Sequence, residues 1–154
     1  MIKAQFIKPL VYIRMAASIN ESRANISHEN QSMKLHLTTA QNQNLITGYG
    51  TDFIEINRKK YTRNLIVLAN KLVENWQVTD FAALSEVHFE YLLESKPEVV
   101  LLGTGGKHQF LHPKMFRKLT GSGISLECMT TAAACRTYNI LMSEGRNVAA
   151  ALIL

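Results

Sequence analysis

The sequence predicts an α/β fold: a three-layer single domain with a mixed central sheet, an N-terminal β meander and then a β-α-β-α-β run. Three observations lead there. Strand and helix signals alternate from residue 98 onward, which calls for right-handed crossovers and neighbouring, largely parallel strands. The apolar stretches 99–102 and 148–154 are continuous, as in strands covered on both faces. Before residue 80, short β-type segments separated by turn residues meet no competing helical period.

The elements follow in order. Met33, Leu35 and Leu37 alternate with Lys34, His36 and Thr38, giving a first strand. Gly48-Tyr49-Gly50 marks a turn or bulge before the strand Thr51–Asn57, which carries Phe53, Ile54 and Ile56. Arg58-Lys59-Lys60 reads as an exposed turn before Tyr61. Leu65–Ala69 is a fully apolar strand, and Leu72–Val78, with Trp76, is a further one. Ala83–Ser95 reads as a helix, with Phe81, Leu84, His88, Tyr91 and Leu92 on one stripe, and Pro97 closes it. Glu98–Leu102 is the next strand. Pro113 suits the first turn of a short helix whose Met115, Phe116 and Leu119 face inward and which Gly121 stops. Ile124–Cys128 is a strand. Thr130 or Thr131 caps a helix running to Glu144, and Gly145 stops it before the last strand, Asn147–Leu154.

Composition narrows the functional classes. With 47% hydrophobic and 19% charged residues among 154, the chain fits one soluble domain with a sizeable core. No run approaches the length of a transmembrane helix, so none is expected. Two cysteines exclude a disulfide scaffold and cannot by themselves complete a zinc site. The net charge of +5 comes from 17 basic and 12 acidic residues. Residues 1–32 hold four basic and two acidic of these, leaving 13 against 10 for the rest. A surface built for nucleic acid carries a stronger bias, so no nucleic-acid partner is expected.

Residues 1–20 have no acidic side chain, and residues 20–32 are polar without periodicity. The reading is an N-terminal extension over 1–32, outside a single α/β domain over 33–154. A presequence or membrane-seeking helix is the competing account of that segment.

The run Pro97–Gly106 (PEVVLLGTGG) and the stretch Met129–Leu154, which opens MTTAAACRTYN, carry a family resemblance. Together with MKLHL, YGTDFIEIN and LIVLAN they resemble a family of small α/β proteins of largely unknown function. That family includes the mitochondrial complex I assembly factor three and many short bacterial proteins. The resemblance covers about 33–154. It implies a three-layer fold with a mixed sheet, no established enzyme activity, and protein partners for the mitochondrial member.

Two segments could carry a site. Gly103-Thr104-Gly105-Gly106-Lys107 follows a buried strand, where α/β proteins place ligand loops. Glycines there let backbone N–H groups approach an anion, and Lys107 adds charge. Neither the dinucleotide fingerprint nor the phosphate-loop motif is met, and a tight turn needing positive φ is the preferred account of the glycines. Thr130, Thr131 and Arg136 mark a helix start at the same sheet edge, where the macrodipole favours negative charge. On the ligand-site alternative, the two segments line one shallow cleft.

The other reactive residues point to packing. Cys135 falls on a helix stripe with Tyr138, Leu141 and Met142, which suits a small core residue better than a nucleophile. His88 reads as a hydrogen-bonded core or rim histidine, and His108 and His112 flank a proline rather than share a helix face. No metal, cofactor or catalytic residue is nominated.

The function expected is a non-catalytic protein-interaction domain, aiding assembly of a respiratory or other membrane-associated complex. The alternative is a small anionic-ligand-binding protein or enzyme using Gly103–Lys107 and Thr130–Arg136. The location expected is cytoplasmic for a bacterial chain and mitochondrial for a eukaryotic one.

Overall fold

The computed structural model describes residues 43–154. The expected extension over 1–32 and the expected strand at 33–38 lie outside them. Eight strands and three α-helices follow. The strands are β1 (Ile46–Tyr49), β2 (Ile54–Ile56), β3 (Lys59–Tyr61), β4 (Leu65–Leu68), β5 (Leu72–Val73), β6 (Val99–Thr104), β7 (Ser125–Met129) and β8 (Val148–Ile153). The helices are α1 (Glu90–Ser95), α2 (Arg117–Gly121) and α3 (Thr131–Ser143).

The central sheet has the order β5-β4-β8-β6-β7. Strand β6 runs parallel to both β7 and β8, whereas β4 is antiparallel to β8 and to β5. The sheet is therefore mixed, with its parallel part built by the β6-α2-β7-α3-β8 run. The meander divides: β1, β2 and β3 form a separate antiparallel sheet, and only β4 and β5 extend the central one.

Alternate residues of the central strands enter two different cores, which is why their sequences are continuously apolar. Leu65, Val67, Val99, Leu101, Val148, Ala150 and Leu152 pack with Ala134, Cys135, Tyr138 and Met142 of α3. Ile66, Leu68, Val100, Leu102, Ala149, Ala151 and Ile153 pack with Trp76, Phe89, Leu92 and Leu119. Each fully buried Leu or Ile contributes about 1.5–3 kcal/mol of transfer free energy. The small sheet shares the α3 core through Ile46, Ile54 and Ile56. Asn139 of α3 fixes it there, accepting from the Ile46 N–H at 3.1 Å and donating to the Ile46 carbonyl at 2.7 Å.

Four sequence expectations need correction. The hairpin turn is Asn57-Arg58, both at positive φ, and Lys59 and Lys60 already lie on β3. A two-residue loop with φ > 0 at both positions matches the twist of the flanking strands. The strand expected over Leu72–Val78 ends at Val73, because Trp76 turns into the core and donates from Nε1 to the His88 carbonyl at 3.0 Å. The helix expected over Ala83–Ser95 is cut into two 3₁₀ turns, Phe81–Ala83 and Glu86–Phe89, followed by α1. Asp80 caps the first turn, and Leu84 leaves it with an extended backbone. Ser85 then starts the second turn against His88. Finally, Gly121 is the last residue of α2, and Gly123, at φ 76°, makes the reversal.

Candidate functional site

Residues leaving β6 and β7 go to opposite faces of the sheet. After β6 the chain joins α2, whose Leu119 belongs to one core; after β7 it enters α3, which belongs to the other. Adjacent parallel strands that part in this way open a crevice at their carboxyl ends.

Thr131, the first residue of α3, locks the glycine turn to that crevice. Its Oγ1 donates to the Ile153 carbonyl at 2.5 Å and accepts from the Gly105 N–H at 2.9 Å. Its own N–H donates to the Gly105 carbonyl at 2.9 Å. Gly105 holds φ 86°, a conformation that glycine adopts without a Cβ penalty. Gly103 has a different reason to be glycine: a Cβ there would stand 2.9 Å from Thr131 Oγ1 and 3.0 Å from Thr131 Cα.

Thr104 is buried beneath the turn. Its hydroxyl oxygen lies 2.6 Å from the Lys107 carbonyl and 3.0 Å from that of Met129, and it accepts from the Gln109 N–H at 3.2 Å. The hydroxyls of Thr104 and Thr131 and the amides of Gly105 and Thr131 are thus spent on the protein itself, whereas the Gly106 N–H has no partner among the described residues. The start of α3 follows the same rule. Thr130 Oγ1 accepts from the Ala133 N–H at 3.3 Å, and the Ala134 N–H donates to the Thr130 carbonyl at 2.9 Å. An incoming anion meets one first-turn amide, that of Ala132, without a partner among the described residues.

Above this network lies a cleft of about 370 Å³. Gly105 and Gly106 form one wall, Thr130, Thr131 and Ala132 a second, and Ile153 and Leu154 the base. Tyr49, Gly50 and Thr51, from the β1–β2 connection, close the remaining side. Of the residues expected at a site, Gly105, Gly106, Thr130 and Thr131 line the cleft, and Gly103 and Thr104 support it from below. Lys107 is exposed and does not line it. Arg136 also stands outside, donating from Nη1 to the Tyr49 hydroxyl at 2.9 Å. It therefore braces a wall rather than facing a ligand.

The β1–β2 wall is the part that sequence reasoning missed. Gly48-Tyr49-Gly50 was legible as a turn, but nothing local places it 87 residues away against α3. A larger hollow of about 510 Å³, lined by residues 62–64, 75–79 and 154, is more open than this cleft.

Both cysteines sit where burial disfavours the thiolate. Cys135 is fully buried, and burial pushes its thiol up to about 12, so it stays protonated at neutral pH. Cys128 is half-buried, and its thiol is raised for the same reason. His88 accepts from the Ser85 N–H at Nδ1, 3.0 Å, and its Nε2 lies 3.1 Å from the Gln77 carbonyl, so it ties two loops together.

Comparison with known proteins places these features. Residues 46–153 match a family described as "Protein of unknown function (DUF498/DUF598)". The "13 kDa major membrane protein" of Francisella tularensis is 33% identical over 100 residues, 64% of this chain and 80% of that protein. The "NADH dehydrogenase [ubiquinone] 1 alpha subcomplex assembly factor 3" of mouse is 38% identical over 89 residues, 56% of this chain. That alignment spans 48% of the mouse protein, about half its length. A Bordetella pertussis solution structure described as an Mth938-like domain superposes with a TM-score of 0.68 at 32% identity. It covers 79% of this chain and 92% of its own. The superposition shows that this chain shares the fold of that Mth938-like domain.

Proposed function

This chain belongs to the DUF498/DUF598 family, and we propose that it is a non-catalytic protein-interaction domain. Its role is to aid assembly of a respiratory or other membrane-associated complex. The observation that carries this reading is the relation to the mitochondrial assembly factors, at 38% identity for the mouse protein. A family alone does not fix function, and the geometry adds a physical reason. The hydroxyls of Thr104 and Thr131 and the N–H of Gly105 are engaged within the protein. The cleft above them offers glycine backbone, Tyr49, Ile153 and Leu154, a surface suited to a segment of another protein. In a bacterium the site of action is the cytoplasm, and in a eukaryote the mitochondrion.

The test is a quantitative pull-down from source-cell lysate with the full chain as bait and mass spectrometry as readout. Respiratory-complex subunits or assembly factors are expected among a few selectively recovered proteins. Recovery of nothing above background contradicts the proposal.

A second reading is favoured by one observation: Gly105, Gly106, Thr130 and Thr131 line a single cleft. In that reading the Ala132 amide and the α3 dipole hold a small anion. Thermal shifts with inorganic phosphate and small carboxylates test it, and an unchanged melting temperature with all of them removes it.

A further inference from the structure

From Val99 to Leu126 the chain has no acidic side chain, while Lys107, Lys114, Arg117 and Lys118 give that stretch its charge. Lys118 is engaged by Glu86 at 3.6 Å and Glu90 at 3.8 Å. Lys107, Lys114 and Arg117 have no ion-pair partner among the described residues.

The loop leaving β6 is fixed at both ends. The Lys107 carbonyl lies against the Thr104 hydroxyl, and Gln109 Nε2 donates to the Thr104 carbonyl at 3.3 Å. Leu111 packs on the core, and His112 Nδ1 accepts from the Lys114 N–H at 3.2 Å. Between these anchors Phe110 stands 83% exposed, with the His108 ring at 4.4 Å. A single exposed apolar side chain is ordinary. Here the ring is held outward by pinned neighbours, within a stretch whose free charges are all positive.

We propose that residues 107–117 form a peripheral docking site for an anionic lipid bilayer. Phe110 enters the boundary between headgroups and acyl chains, and Lys107, Lys114 and Arg117 meet the anionic headgroups. A lone exposed ring in a basic stretch of chain needs no shaped pocket in its partner, only an apolar layer beneath an anionic one. This inference stands apart from the partner reading, since none of these side chains lines the cleft.

The experiment is co-sedimentation of the full chain with phosphatidylcholine vesicles, with and without phosphatidylglycerol. Binding is expected only with phosphatidylglycerol, and it falls as salt rises. Phe110→Ser weakens it about tenfold. Each of Lys107→Gln, Lys114→Gln and Arg117→Gln weakens it about fivefold, whereas Lys59→Gln on β3 leaves it unchanged. In Phe110→Trp, the added fluorescence shifts to the blue with phosphatidylglycerol vesicles, relative to a wild type whose Trp76 is buried. Three results overturn the proposal: absent binding, loop variants that bind like wild type, or no blue shift. Displacement by inorganic phosphate beyond that by chloride of equal ionic strength identifies a soluble-anion site instead. Retention of poly-glutamate in place of vesicles identifies an acidic protein partner, and either outcome overturns it too.

Discussion

The two halves of the described chain are held together differently. From β6 to β8, each strand lies within about two residues of its sequence expectation, and every residue of β6 and β8 is buried. From β1 to α1, strands are two to four residues long and the connections carry much of the structure. Two-sided burial writes a continuous apolar run that survives in the sequence. In the first half only β4 is buried on both faces, and the remainder depends on single anchors such as Trp76 and Asn64, whose partners lie in other segments. Asn64 shows the consequence: its Nδ2 donates to the Val78 carbonyl at 2.6 Å, and its Oδ1 accepts from the Leu154 N–H at 2.9 Å.

The sharpest way to break the ordered half is at its closest approach. Gly103→Val places a side chain against Thr131 and is expected to cost about 3 kcal/mol in urea unfolding. A cost below about 1 kcal/mol would mean that the turn and α3 separate readily, and the locked edge would not exist. Next comes Thr131→Val, which deprives the Gly105 N–H and the Ile153 carbonyl of their shared hydroxyl. It is expected to cost about 2 kcal/mol, with Thr131→Ser restoring most of the loss. If Ser does no better than Val, the hydroxyl is not the lock.

In the irregular half, single side chains hold the connections between short ladders. Trp76→Phe keeps most of the buried ring and strands the His88 carbonyl, so a loss of about 1 kcal/mol is expected. An unchanged midpoint would show that the segment after β5 is held by packing alone. The smallest effect belongs to Glu98 at the start of the ordered half. The Asn147 N–H, then Arg146, hold its carboxyl below its ordinary value. Its contribution is therefore full above the ordinary carboxylate range and is lost as pH falls through the folded value. Glu98→Gln is expected to flatten the acid side of the stability profile slightly; an acid side identical to wild type refutes the assignment.

The same contrast explains what was legible. The parallel run, the caps at Thr130 and Gly145 and the glycine turn are local patterns, and all are found where such patterns place them. The helix expected over Ala83–Ser95 fails because Asp80 and Ser85 each begin a turn, and two competing caps outweigh one apolar stripe. The Gly105 and Thr131 walls of the cleft were readable as a turn and a cap. Its Tyr49 wall was not, because it depends on Ile46, Ile54 and Ile56 packing onto α3. Arg136, legible as a charge near a helix start, proves to brace Tyr49 at 2.9 Å.

The claim that the cleft receives a partner protein is tested most directly by obstructing its mouth. Gly106 has open space where a Cβ would stand and no positive φ, so Gly106→Arg fills the entrance without straining the turn. The measurement compares wild type and this variant as baits in the quantitative pull-down, with melting temperatures taken in parallel. The account predicts equal melting temperatures and loss of the recovered partners by the variant. Undiminished recovery of the same partners by Gly106→Arg would contradict it.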